Sequence, residues 1–347
     1  MTRLMQAMAG AAHGGAEAFF ERLALALQRA GVTQQVVIRR DPARAARLRA
    51  GGIEPIELGF GGWLDVLTRP AFARAIRRFR PQVVITWMSR ASAACPRRGP
   101  DDTFVHVGRL GGYYDLKYYR RCDHLLANTR DIVEYVVAQG WPEDRAHYMP
   151  NFVDATRATP VARAALDTPE DAPVVLALGR FHPNKAFDVL LRALAGLPEV
   201  VLWLAGAGPE QAALERLAGE LGIADRVRFL GWRDDTASLY AAADLFVCPS
   251  RLEPLGNVVI EAWAHGLPVI ATAAVGPRQL IREGESGLLV PVDNAPALAA
   301  AIERTVGDPV LRAHLATGGR AAYVAEFTED VVVARYREFF ERVAGGA

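Results

Sequence analysis

What most restricts the fold open to this chain is an alternation of short apolar runs with longer amphipathic stretches, sustained over most of its 347 residues. In the first half, 4–9, 35–39, 83–87, 103–107 and 124–127 read as strands, with helical patterns such as 16–30 and 69–79 between them. The second half repeats the scheme. Strands at 174–178, 200–205, 227–230, 245–249, 268–271 and 287–290 alternate with helices at 187–194, 210–221, 236–242, 258–264 and 295–306. A strand buried on both faces reads as an unbroken apolar run, as in VVLAL at 174–178 and VVLWLAG at 200–206. Such alternation calls for a parallel doubly wound sheet, and here it occurs twice. The length fits two domains of about 150 residues each. Residues 150–171, rich in Pro, Thr and Asp, hold neither period and read as the linker. The expected architecture is α/β, with two Rossmann-like doubly wound parallel-sheet domains, 1–155 and 156–327, facing across a cleft. Open sheets of this kind bind ligands beyond the carboxyl ends of their strands, so that cleft is the expected site.

Charge divides along the same seam. Residues 1–155 carry 22 Lys and Arg against 15 Asp and Glu, whereas 156–347 carry 18 against 24. A basic half joined to an acidic half points the basic half toward nucleic acid, an anionic membrane surface or an anionic glycan. A solvated Arg-rich surface is the plainer reading. The basic residues are scattered without a recognition-helix or stacking-platform pattern, so nucleic acid is not expected. Cys95, Cys122 and Cys248 are far apart and odd in number, which argues against a disulfide scaffold and suits a reducing cytoplasm. Residues 1–12 resemble a weak signal peptide, but Gln6 interrupts a run too short for an h-region. A first buried strand is the better reading. No window offers about 18 uninterrupted apolar residues, so a soluble or peripheral protein is expected. RPAFARAIRRFR at 69–80 sets five arginines around Phe72, Ile76 and Phe79, just after Trp63 and Leu64. It suits an anionic membrane surface, or a helix that packs its apolar stripe inward and leaves its arginines in water.

Three motifs bear on chemistry. The first, HGGAE at 13–17, lies between the first strand and the first helix. Gly14 and Gly15 let the backbone approach a ligand, and a helix N-terminus favours an anion such as a diphosphate; a tight structural turn is the alternative. No full G-x-G-x-x-G is present, which disfavours a dinucleotide oxidoreductase. The second, GRFHPNK at 179–185, opens a helix after a strand and offers Arg180 and Lys185 to the same oxyanions, one as a planar fork and one as a point charge. The third, EPLGNVVIE at 253–261, sets two carboxylates eight residues apart. Glu253 lies in the loop and Glu261 one turn into the following helix, with Leu255, Gly256 and Asn257 at the helix start. Sugar hydroxyls are natural partners for two such acids. Glu261, flanked by Val258, Val259, Ile260, Ala262 and Trp263, would be costly without one.

Together these motifs, in this order, resemble the retaining glycosyltransferases of family four, which have the GT-B fold. YMPNFVD at 148–154 is similar to the family's interdomain IPNGVD segment, with Phe152 where Gly is usual, and Ala186 stands where many members carry Gly. Residues 328–347 resemble the closing helix that crosses back to the first domain. By that resemblance, the first domain takes the acceptor and the second the nucleotide-sugar. Arg180 and Lys185 would hold the donor diphosphate, aided by Gly14 and Gly15, while Glu253 would bind the donor sugar beside Leu255, Gly256 and Asn257. Glu261 would bind the ribose, and the base would pack near Arg228 and Leu230, mostly through main chain. His106 would be the active-site histidine that contacts the transferred sugar. Arg109, Tyr113, Tyr114 and Lys117 would form an aromatic and cationic acceptor surface; an ordinary solvated helix face is the alternative.

Cleaving a sugar–phosphate bond puts negative charge on the diphosphate, which preorganised cations stabilise. No DxD-like pair adjoins the donor loop, since Asp101–Asp102 and Asp234–Asp235 lie elsewhere. Arg180 and Lys185 would take the place of a metal, so neither metal nor cofactor is expected. The expected activity is hexose transfer from a UDP- or GDP-sugar to a glycan or lipid-linked glycan, with retention implied by the family alone. RLGGYYDLKYYRRCDHL at 109–125 is similar to bacterial envelope-glycan enzymes, such as those of lipopolysaccharide synthesis, and the expected place of action is the cytoplasm or the inner face of its membrane. A nucleotide-sugar epimerase and a non-catalytic glycan- or nucleotide-binding module are the alternatives. The donor base, the sugar and the acceptor stay open.

Overall fold

The computed structural model describes residues 2–12, 14–61, 65–99, 103–153, 155–156 and 158–345. His13, Trp63, Leu64, Asp101, Asp102 and Asp154, named above, lie outside the described residues. The chain divides into two compact units, Met1–Phe152 with Glu329–Ala347 and Val153–Thr328. The divisions fall at Phe152/Val153 and Thr328/Glu329 rather than at 155/156 and 327/328.

The first unit is built on seven strands: β1 (Leu4–Met8), β2 (Gln34–Arg39), β3 (Ile56–Leu58), β4 (Val83–Trp87), β5 (Val105–Leu110), β6 (His124–Ala127) and β7 (Ala146–Tyr148). They pair in parallel in the order β3-β2-β1-β4-β5-β6-β7. The two-residue period of a strand sends Leu4 and Met8 to one face and Met5 and Ala7 to the other. The first face packs on Phe19, Phe20 and Leu23 of the helix Gly15–Arg29 and on Val332, Tyr336 and Phe340 of the helix Glu329–Gly345. The closing helix is thus part of this unit's core. The second face takes Phe72 and Ile76 of the helix Thr68–Phe79, whose Arg74, Arg77 and Arg78 are exposed. Its apolar stripe is therefore committed to the core, as the second of the two readings of that helix expects. Gln6, the polar interruption in β1, is fully buried and satisfied: its Oε1 accepts from the Trp87 indole at 3.3 Å and its amide donates to Gln34 at 2.9 Å. Phe152, in place of the usual Gly, is buried with its ring edge-on to Phe19, 5.3 Å between centroids.

The short strands β3 and β7 were not expected, and β5 sits further along the chain than 103–107. Gly108 lies within β5, where its neighbours leave no room for a side chain. A Cβ there would come within 2.8 Å of Tyr119 and 2.9 Å of Leu125. The shift overturns the role read for His106. It is the second residue of β5, paired with Val84, and so lies toward the amino end of the sheet, away from the ligand edge. The residue is 2% exposed. The Arg121 carbonyl, 3.1 Å from Nδ1, can only accept, so Nδ1 carries the proton and Nε2 accepts from the Thr86 hydroxyl at 2.9 Å. His106 is a satisfied core histidine, not a sugar contact.

The second unit has six parallel strands: β8 (Val174–Leu178), β9 (Val201–Ala205), β10 (Val227–Gly231), β11 (Leu245–Cys248), β12 (Val269–Thr272) and β13 (Leu288–Val290), in the order β10-β9-β8-β11-β12-β13. Alternate residues again serve two cores: Val175, Ala177, Leu202 and Leu204 on one face, and Val174, Leu176, Val201 and Trp203 on the other. The strand order reverses between β8 and β11, so connections from these neighbours depart to opposite faces and leave a crevice at their carboxyl ends.

Burial pushes His106 down to about 4, and burial followed by the neighbouring His124 does the same to His147, again to about 4. The unfolded chain therefore takes up protons first as pH falls, and stability drops between the ordinary histidine value of 6.5 and 4. Urea titrations across that range should show a falling midpoint, and the His106→Gln variant a shallower fall. An equal slope in the variant would contradict the assignment.

Candidate active site

The crevice beside β8 and β11 is where two of the three motifs meet. After β8, Gly179 turns the chain at φ 153 and Arg180 is exposed. A short helical turn, Pro183–Lys185, follows, and Ala186 then takes the left-handed conformation at φ 51 before the helix Phe187–Leu194. That conformation disfavours a side chain by about 1–2 kcal/mol, which accounts for Gly at the same place in the sequences this loop resembles. After β11 the chain runs through Ser250, Arg251 and Glu253 to Gly256, which caps the helix Asn257–Ala264 at φ 84.

The two loops are bonded to each other. The amides of Arg251 and Leu252 donate to the Asn184 carbonyl at 2.8 and 3.1 Å. The Arg251 guanidinium reaches the Pro183 carbonyl at 2.9 Å, both Asp188 oxygens at 2.9 and 2.8 Å, and Asp293 at 2.5 Å. Burial raises the Asp188 carboxyl, but the bond and charge of Arg251 outweigh it and hold the group below its usual range. Arg251 is a functional support that the sequence did not disclose; nothing in its spacing separates it from a surface arginine.

This bracing brings Lys185 onto Glu253, whose carboxylate accepts from the ammonium. Both are largely buried, at 24% and 11% side-chain exposure. Burial opposes the charge on Lys185, yet the charge and hydrogen bond of Glu253 and the charge of Glu261 prevail and hold its pKa above the ordinary value. The other oxygen of Glu253 accepts from the Gly256 amide at 3.2 Å. Glu261 accepts from the Tyr240 hydroxyl at 3.2 Å. Asn257 Oδ1 is buried without a hydrogen-bond partner among the described residues. Gly276 was also missed: a Cβ there would lie 2.6 Å from the Glu253 carbonyl, so the loop lies directly on it.

Lys185, Glu253, Gly256, Asn257 and Glu261 therefore gather at one sheet edge, and Arg180 lies on the same loop as Lys185. Leu255 is buried and Leu230 half-buried near the end of β10. Arg228 does not join them. It is the second residue of β10, and its guanidinium is taken by the carbonyls of Leu166 and Asp167 at 3.0 Å and of Asp225 at 2.6 Å.

In the first unit, Gly14 precedes the helix Gly15–Arg29, but the protein's own anion fills the turn. The buried Glu17 carboxylate accepts from the Ala11 amide at 2.8 Å, and a Cβ on Gly14 would lie 2.2 Å from it. Gly14 is thus glycine to admit Glu17, whereas a Cβ on Gly15 would meet nothing within 4 Å. Buried Arg44, paired with Glu21 at 2.9 Å, holds the same turn through the Ala11 carbonyl at 2.7 Å.

The acceptor cluster comes apart. Arg109 is buried and spends its guanidinium on Tyr336 at 2.9 Å, Met149 at 3.1 Å and Asn151 at 2.8 Å, between the rings of Phe19 and Trp87. It is a structural residue. Tyr113 is exposed and bonds Asp131, Tyr114 is half-buried against Tyr119, and exposed Lys117 pairs with Asp115 at 2.7 Å.

Two parallel doubly wound units, with a cation–carboxylate cluster at the strand reversal of the second, define a GT-B glycosyltransferase. Residues 13–157 match the model of Glycosyltransferase Family 4, and residues 172–308 that of Glycosyl transferases group 1. The lipopolysaccharide core biosynthesis glycosyltransferase LpsE of Rhizobium meliloti is 41% identical over 332 residues, covering 93% of this chain and 94% of its own. LpsD of the same organism is 38% identical, covering 95% of each. Anabaena HepE in complex with UDP superposes with a TM-score of 0.85 at 23% identity, over 99% of this chain and 100% of its own. The lipopolysaccharide outer core galactosyltransferase WaaB in its apo form gives 0.78 at 19% identity, over 99% and 100%. This chain belongs to the family 4 glycosyltransferases and is an enzyme of that class.

If Arg251 brings the two loops together, Arg251→Ala should lower turnover at least about tenfold, as when a positioning group of a reactive geometry is lost, while circular dichroism stays native. Glu253→Gln should lower it further. Full turnover in a folded Arg251→Ala variant would show that the brace is dispensable.

Proposed function

We propose that the enzyme transfers a hexose from a UDP- or GDP-sugar to a glycan or lipid-linked glycan of the lipopolysaccharide core or another envelope polysaccharide, with retention and without a metal ion. One observation carries the reading: Lys185 engaged by Glu253, with Glu261 close enough to act on the same charge, beside the crevice where β8 and β11 part. The names of LpsE and LpsD support the acceptor class, and the HepE complexes with UDP and UDP-glucose support a UDP donor.

In this reading a diphosphate replaces Glu253 as the partner of Lys185 and draws in Arg180. Glu253, released, turns to hydroxyls of the donor sugar, with Asn257 Oδ1 as a further acceptor, and Glu261 takes the ribose. The bond between the anomeric carbon and the phosphate oxygen breaks, and its electron pair leaves with the phosphate. The acceptor oxygen bonds the anomeric carbon on the same face, and its proton passes to the departing phosphate. Arg180 and Lys185 offset the charge that develops there, the work a metal ion does elsewhere. Arg180 also has no hydrogen-bond or ion-pair partner among the described residues, which suits a group waiting for an anion.

A cytoplasmic place of action at the inner membrane face accompanies a lipid-linked acceptor. No helix among the described residues is long and apolar enough to cross a membrane. Surface contact has support in Val66 and Leu67, 75% and 76% exposed, just ahead of the exposed Arg74, Arg77 and Arg78.

UDP, GDP and ADP should be compared by thermal shift, with one raising the melting temperature in wild type and failing to do so in Lys185→Ala. Transfer should proceed unchanged in EDTA, and sugar consumption should require added acceptor. Consumption without acceptor would favour an epimerase, and indifference to all three nucleotides would remove the donor site. In vesicle flotation the protein should rise with phosphatidylglycerol-containing vesicles and not with pure phosphatidylcholine. Equal flotation of the Val66→Ser/Leu67→Ser variant would end the surface assignment.

A further inference from the structure

The first unit holds a cavity of about 890 Å³ that none of the motifs predicted. Its walls come from three segments: the approach to the helix Thr68–Phe79 after β3, the helix Met88–Ala94 directly after β4, and the turn Leu116–Tyr118 after β5. All three leave carboxyl ends of strands, so the cavity opens at the ligand edge of this sheet. Its size is that of a small-molecule site.

Its lining is chemically uneven. Tyr118, 41% exposed, supplies aromatic surface over the buried Phe60, and Ser89 a hydroxyl. Arg69 and Arg90 supply two guanidiniums, both on exposed residues. Arg69 is steadied by one bond to the Ala93 carbonyl at 3.1 Å, and Arg90 has no hydrogen-bond or ion-pair partner among the described residues. The one carboxylate in the wall, Asp65, does not neutralise them. It accepts from the amides of Gly61 at 2.7 Å and Thr68 at 2.9 Å and from the Thr68 hydroxyl at 2.5 Å, so its oxygens are spent on starting the helix. Two guanidiniums and the exposed ring of Tyr118 in one cavity wall suit a saccharide that stacks a C–H face on the ring and carries an anionic group. The excess of 22 basic over 15 acidic residues in 1–155 attracts the same ligand.

We propose that this cavity receives the acceptor, and that the acceptor is an acidic saccharide whose carboxylate or phosphate is held between Arg69 and Arg90. The inference rests on the transferase reading and replaces Arg109, Tyr113, Tyr114 and Lys117 as the acceptor surface.

The test is binding of glucuronic acid, glucose 6-phosphate and glucose to the full chain, followed by saturation-transfer NMR without donor. One or both acids should bind about tenfold more tightly than glucose, a difference that charge-assisted bonds supply, and the preference should fade as salt rises. Which acid binds distinguishes a carboxylate from a phosphate. Arg69→Gln/Arg90→Gln should reduce the acids to the level of glucose, and Tyr118→Ala should weaken all three sugars. Glucose binding as tightly as the acids, or an acid preference that survives the double substitution, would overturn the proposal. The thermal shift with UDP, run on the same variants, keeps the two readings apart. If nucleotide stabilises every form but the acids bind no better than glucose, only the cavity assignment falls. If the acids bind as expected and no nucleotide does, the transferase reading falls and the cavity stands.

Discussion

At the strand reversal of the second unit, two loops are held against each other by backbone hydrogen bonds and by one arginine. Adjacent strands at a topological reversal send their helices to opposite faces, so the loops after β8 and β11 diverge from a common edge. Arg251 counters that by binding two carboxylates and a carbonyl from three places in the sequence. Across the joined loops Lys185 meets Glu253. Charges taken this far out of water gain little net stability, and breaking one side leaves the other stranded. The arrangement makes more sense as preorganisation.

Much of this was legible beforehand, for a physical reason. Strands buried on both faces must be continuously apolar, and VVLAL and VVLWLAG could be little else. β8 and the helix Phe187–Leu194 fell on the residues expected. So did the convergence of Lys185, Glu253 and Glu261, because a loop after a parallel strand can only emerge at the carboxyl edge. The errors share a cause as well. The strand expected at 103–107 runs on through Gly108, a glycine that Tyr119 and Leu125 leave no room to replace, to Leu110. Three residues of misplaced register put His106 at the ligand edge instead of in the core. Arg109 and Arg228 failed in another way. A guanidinium is read as a surface or ligand group unless its partners are known, and theirs are carbonyls and a hydroxyl that no spacing reveals. β3 and β7, at three residues each, are too short to show a period.

The two halves differ in how they treat charge. In the second unit opposite charges are concentrated at one edge and face each other. In the first, Glu17 closes the glycine turn, Asp65 starts a helix and Arg44 locks onto Glu21, so the acidic groups are consumed locally and the arginines predominate at the surface. The charge imbalance visible in the sequence is therefore a statement about which side chains remain available, more than about their number.

The burial of Arg109 has a consequence for the far end of the chain. Its guanidinium lies in the interior with no carboxylate among its bonded partners in the described residues, kept there by oxygens of Met149, Asn151 and Tyr336 and by two aromatic faces. Tyr336 comes from the final helix, more than two hundred residues away. Removing that helix would do more than uncover an apolar patch on Leu4 and Phe20, because it would withdraw an oxygen from a buried cation. The helix Glu329–Gly345 is therefore a structural member of the first unit, tied into a core built from residues more than two hundred positions earlier.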